Sequence, residues 1–150
     1  MRATANTLEG VGVGLVASWV KALSEPPLQA AAERILPPSP AQKQEVGADP
    51  RGRPENMPPA VLVGRAAAAL GAAYLAAASR WPAVTRGRGA LAGLAVYAGT
   101  HGSLFAALGV QRPPWRLAPA AVVWESTSHA VFGAALEAMR RVVRGSTGAT

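Results

Sequence analysis

Three long stretches of this chain carry almost no charge. Arg65 is the sole charged residue from Pro58 to Ser79, none stands between Gly89 and Val110, and only Glu125 and Glu137 interrupt Leu117 to Met139. A helix needs about 20 mainly apolar residues to cross a hydrocarbon layer of roughly 30 Å, and each stretch reaches that length. A weaker, glycine-rich stretch runs from Gly10 to Val20. Four membrane spans are therefore expected, at about 8–23, 60–78, 89–110 and 119–139. The fold class is all-α, a four-helix transmembrane bundle in one domain covering residues 1–150.

Composition agrees. Half of the residues are apolar, yet 15% are charged and 5% aromatic, whereas a soluble domain carries about 25% charged residues. Alanine and glycine make up about a third of the chain. Such small side chains bury little area per residue, at roughly 25 cal/mol per Å², so the spans depend on packing against one another. Gly10/Gly14 and Gly89/Gly93 have the spacing that lets helix backbones approach closely. With no cysteine, disulfide scaffolds, zinc ribbons and thiol catalysis are excluded.

The segment after the first span has two parts. Leu28, Ala31, Ala32, Ile35 and Leu36 recur on one helix face, which predicts a short amphipathic helix at the interface, stopped by Pro37-Pro38. From Pro37 to Pro59 the chain is polar and proline-rich and reads as a loop (37–59). A cleaved signal peptide is the rival reading of the first span, because Ala22-Leu23-Ser24 has small residues in the right place. Glu9 ahead of the apolar run and Lys21 beside the site oppose it.

Basic residues set the orientation. With four spans, Arg2, Arg80, Arg86, Arg88, Arg140, Arg141 and Arg144 share the side of both termini. Arg34, Lys43, Arg51, Arg53, Arg112 and Arg116 lie on the other, most of them in the long loop. The first set is packed closer to the spans, which places both termini in the cytoplasm. Trp19, Trp81, Trp115 and Trp124 fall near span ends, where amphipathic rings favour the headgroup layer. The net charge of +7 suits an anionic membrane surface. Nucleic acid is a poorer partner, because the basic residues flank apolar runs and do not line one helix.

The C-terminal half carries an ordered set of motifs: His101, Leu108-Gly109, Pro113-Pro114, Glu125 with His129, and Glu137-Ala-Met-Arg140-Arg141. Near the start, a glycine-rich span runs into Val20-Lys21 and Glu25-Pro26-Pro27. In these motifs the chain resembles the YagU-like family of bacterial inner-membrane proteins. The resemblance covers both ends and weakens from about Leu28 to Arg88. It implies a multi-pass inner-membrane location and no particular reaction.

At about 1.5 Å per residue, Arg65 lies about 10 Å inside the outer surface, Glu125 about 9 Å, His101 about 14 Å and His129 about 15 Å. Charged groups facing lipid cost at least about 2.5–3.5 kcal/mol on insertion scales, so a buried polar layer facing the bundle interior is expected. Arg65 has the sign and depth to pair with Glu125, and Thr100, Ser103, Ser126 and Ser128 are candidates to complete hydrogen bonds. Lys21 and Glu25 are four apart on one helix and form an interfacial ion pair. The layer is read first as structural glue. The alternatives are a proton or ion path through Glu125, His129 and His101, and axial haem ligation by His101 and His129. The chain lacks a nucleophile elbow, P-loop, dinucleotide fingerprint and HExxH, so no enzyme is read, and no resident cofactor or metal is assigned. The partners expected are the lipid bilayer and either a second copy or another membrane protein.

Overall fold

The computed structural model describes residues 2–48 and 60–147. Among these every element is helical: α1 (Arg2–Ile35), α2 (Pro40–Ala48), α3 (Ala60–Arg80), α4 (Ala90–Gly99, continuing through Thr100–Leu104 and Phe105–Ala107) and α5 (Pro119–Thr147). The stretches Val61–Arg80 and Pro82–Ala107 are long and apolar enough to cross a membrane.

The first span and the expected interfacial helix are one element. α1 has 34 residues, about 50 Å at 1.5 Å per residue, and carries Pro26 and Pro27 inside it. Proline supplies no amide to the carbonyl four residues back. Side-chain contacts flank the prolines: Lys21 pairs with Glu25, the Ser24 hydroxyl donates to the Lys21 carbonyl at 2.7 Å, and Gln29 donates to Glu33 at 2.8 Å. Of the apolar face expected over 28–36, Ala32 is buried while Ile35 and Leu36 are exposed.

The expected loop at 37–59 is also helical in part. Ser39 caps α2 reciprocally: its hydroxyl accepts from the Gln42 amide at 3.2 Å and its own amide donates to Gln42 Oε1 at 2.9 Å. This is a capping box with Pro40 in the first turn, a signal hidden among the prolines. Arg112 Nη1 donates to Glu45 Oε2 at 3.1 Å and ties α2 to the segment after α4. Residues 49–59, with Arg51 and Arg53, lie outside the described residues.

α1 packs against both α3 and α5, and α4 packs against α5, so the helices run in the order α3, α1, α5, α4 across the bundle. Glycines set both outer contacts. A Cβ at Gly14 would overlap the Ala67 carbonyl, and one at Gly71 would overlap that of Gly10. In the second pair, Gly93 lies against the His129 carbonyl and Gly133 against that of Gly89. Both pairs are antiparallel. The core between them is Val13, Ala17, Tyr74, Ala78, Phe132 and Leu136.

The segment expected as a third span departs from a plain helix at both ends. A 3-10 segment at Pro82–Gly89 turns the chain into α4, with Gly87, Arg88 and Gly89 at positive φ. Within α4, the hydroxyls of Thr100 and Ser103 bond the carbonyls of Val96 and Gly99, and the helix widens to a π turn over Thr100–Leu104. It ends at Ala107, three residues before the expected Val110. Gly109 at φ 68 reverses the chain, and the amides of Val110 and Gln111 both donate to the Phe105 carbonyl.

Candidate functional site

The reversal after α4 brings Gln111 back over the helix it has just left. Its side chain joins His101 of the π turn to Glu125 of α5. Gln111 Nε2 donates to the Glu125 carboxylate oxygens at 3.1 and 3.3 Å, and Gln111 Oε1 contacts His101 Nδ1. A carboxylate only accepts, so the amide nitrogen of Gln111 must face Glu125 and its oxygen must face His101. His101 Nδ1 therefore carries the proton and donates. On α5, His129 Nδ1 lies 2.8 Å from the Glu125 carbonyl, which likewise only accepts. Glu125 thus fixes both tautomers, one through its carboxylate and one through its backbone. Each neutral ring keeps its lone pair on Nε2.

Tyr97, one turn before His101, closes a triangle of rings. Its centroid is 5.5 Å from His101, stacked at 18°, and 5.4 Å from His129. The two imidazoles meet edge to face at 4.8 Å, and Phe105 closes on His101 at 5.2 Å. Tyr97 is 8% exposed, and among the described residues its hydroxyl is the buried side-chain polar atom without a hydrogen-bond partner. His101 and Glu125 keep side-chain exposures of 22% and 15%. The Lys21–Glu25 pair on α1 acts electrostatically on His101 and Glu125, and Lys21 also on His129.

Arg65 is not in this group. It is exposed on α3, and Glu125 is held by Gln111 and His101 instead. The depth argument assigned each helix a level but no neighbour. Of the expected hydroxyls only Ser128 reaches the group, where it donates to the Glu125 carbonyl that His129 also meets. Thr100, Ser103, Ser126 and Ser128 each bond a carbonyl of their own helix, three or four residues back. The rings as they stand do not suit axial haem ligation. Haem iron takes its two axial ligands from opposite faces of the macrocycle, and imidazoles in contact at 4.8 Å leave no room for a porphyrin between them.

A second polar group lies farther along α5. Glu137 is 1% exposed and accepts from Tyr74 Oη at 2.9 Å, from Arg140 Nε and Nη2 at 2.6 and 2.7 Å, and from Arg141 Nε at 2.8 Å. Hydrogen bonds to Glu137 raise the Arg140 guanidinium above its ordinary value. Tyr74, Tyr97 and Gln111 were not singled out from sequence, and Glu137 was noted only as part of the motif Glu137-Ala-Met-Arg140-Arg141, without a structural role. Two signals were present: Arg140 and Arg141 sit three and four residues after Glu137, and His101 four after Tyr97. Tyr74 and Gln111 gave none, since only folding brings them to their partners.

No family model, curated protein or solved structure matches this chain. Among the described residues, no three His, Asp or Glu side chains form a metal-binding group. The chemistry of the site therefore stands on two lone-pair imidazoles, one unmatched phenol and one hydrogen-bonded carboxylate.

Proposed function

We propose that this chain is an integral membrane protein of four spans, with both termini cytoplasmic, in a bacterial inner membrane. Its function is that of a structural or interaction bundle, and it is not an enzyme. One observation carries the reading. The apolar windows of Val61–Arg80 and Pro82–Ala107 are only 22% and 11% buried, while the carboxylates of Glu125 and Glu137 face inward. That arrangement inverts a water-soluble domain and calls for lipid as the outer cover. α1 supplies a further span at 8–23, and α5 at 119–139. The resemblance to the YagU-like family fits the same reading, with a second copy or another membrane protein as partner and no role for nucleic acid.

Proton or ion translocation is the other reading of the buried layer. Phe132, Gly133 and Leu136 separate His129 from Glu137 along α5, and the glycine contacts there bring backbones together. An apolar zone of this kind supports a static bundle over a water-filled path.

The test is topological and functional. The chain should require detergent for release from membranes. A C-terminal reporter active only in the periplasm should stay silent, and one active in the cytoplasm should give signal. Strong periplasmic activity would overturn the orientation, and a chain soluble without detergent would overturn the membrane reading. Reconstituted vesicles should show no proton flux. A flux lost in Glu125→Gln would replace the structural reading with translocation.

A further inference from the structure

We propose that an anionic diacyl phospholipid binds between α3 and α4, with one acyl chain in the apolar groove there and its phosphate on Arg80 and Arg88. The inference rests on the membrane reading and deepens it by naming a lipid that the bundle holds.

Three observations converge on it. First, the bundle is open on one side. α3 and α4 scarcely touch, and between them lies a groove of about 200 Å³. Leu70 and Ala77 of α3 and Ala92 and Val96 of α4 form its walls, over a floor of Tyr74 and Leu136. The Tyr74 hydroxyl is engaged by Glu137, so the groove offers apolar surface. From Leu70 to Ala77 is about 10 Å of helix, which gives the groove a cross-section of about 20 Å². One hydrocarbon chain fits that section, and a helix of about 10–12 Å diameter does not. Second, positive charge is gathered at one end of the groove. Arg80 ends α3 just past Ala77, and Arg86 and Arg88 stand in the turn that leads to Ala92. All three are exposed, and none meets a carboxylate among the described residues. Glu137, packed against the end of that turn at Gly89, is already taken by Tyr74, Arg140 and Arg141. An anion is favoured there and a cation is not. Third, Arg88 has φ 55 between two glycines of positive φ. Glycine would hold that backbone at no steric cost. A long cationic side chain placed there at a cost indicates a use for its charge.

The phosphate takes charge-assisted hydrogen bonds from the guanidinium groups of Arg80 and Arg88, and Arg86 adds to the attraction. Trp81, exposed and beside the Arg80 guanidinium, stands at headgroup level. One chain fills the groove and the other stays in the bilayer. Leu70 lies about 15 Å along the helix from Arg80, half of a hydrocarbon layer of roughly 30 Å, so the groove matches the depth of one leaflet. A phosphocholine lipid carries the same phosphate but also brings a cation to the arginines, which disfavours it. No bond is broken and no electron moves.

The full chain in mild uncharged detergent is titrated with dioleoyl phosphatidylglycerol and with dioleoyl phosphatidylcholine, and bound lipid is counted by native mass spectrometry. The expected result is one phosphatidylglycerol per chain, retained about tenfold or more over phosphatidylcholine and not displaced by excess inorganic phosphate. Each arginine near an anionic lipid contributes about fivefold, so Arg80→Gln combined with Arg88→Asn should weaken phosphatidylglycerol binding about twentyfold or more. Asparagine tolerates the positive φ, so the turn is kept. Ala77→Leu fills the groove and spares every arginine, and should weaken both lipids about tenfold by displacing a few methylenes. Equal retention of the two lipids would overturn the site, as would unchanged binding in a helical double-arginine variant. Unchanged binding in Ala77→Leu, or displacement by phosphate, would leave an anion site without a chain in the groove and overturn it equally. Should the double variant fail to fold, the comparison of lipids on the native chain and on Ala77→Leu decides. A chain that needs detergent yet shows no preference refutes the lipid site alone, whereas a chain soluble without detergent refutes the membrane reading beneath it.

Discussion

Glu125 and Glu137 are carboxylates on one helix, about 18 Å apart along its axis, and their surroundings differ in kind. Glu137 is wholly buried and receives two arginines and a phenol. Its charge is neutralised where it stands, and both arginines come from its own helix. Glu125 is partly exposed and receives one neutral amide, with a histidine 3.8 Å away. Around it a hydroxyl goes unmatched and two imidazoles keep free lone pairs. The comparison teaches that burial of charge does not itself mark a working site. A satisfied group fixes structure, and an under-satisfied one has capacity left for a ligand.

The largest expected difference comes from removing each carboxylate. Glu137→Ala strips the partly buried Arg140 of its partner and should cost about 3–5 kcal/mol. Glu125→Ala leaves only neutral partners and should cost about 1–2 kcal/mol. Unfolding curves in detergent measure both, and equal losses would break the contrast. The two phenols sharpen it. Tyr74→Phe removes a hydrogen bond to a charged group and should cost about 1.5–3 kcal/mol. Tyr97→Phe removes a hydroxyl that bonds nothing among the described residues and should leave stability within about 0.5 kcal/mol. A comparable loss at Tyr97 would reveal a partner for its hydroxyl.

The close approach of α4 to α5 at Gly93 gives an intermediate effect. Gly93→Ala sets a methyl against the His129 carbonyl and should cost about 1–3 kcal/mol. Gly99 on the same helix has open space at its Cβ, so Gly99→Ala should be neutral or stabilising by up to about 1 kcal/mol. The smallest effect belongs to Arg65. Exposed on α3 and apart from Glu125, it should change stability by no more than about 0.5 kcal/mol on conversion to alanine.

The sequence by itself determined that the chain is helical and where its long apolar helices run. Charge-free stretches and stop signals are local, and length alone settles what they can span. Of the four residues expected in one layer, His101, Glu125 and His129 do lie together and Arg65 does not, and the paired glycines marked where backbones meet. Which helix neighbours which was not legible. Hydropathy gives each helix an apolar surface without naming what covers it, so equal depth suggested an Arg65–Glu125 pair that the fold does not make. Packing likewise brought Tyr74 to Glu137 over 63 residues of chain. Nor did spacing foresee the π turn and the reversal at Gly109 that carry Gln111 to His101 and Glu125. Those contacts cross between elements, and a hydrogen bond between elements exists only once packing has fixed the distance and angle between its two ends.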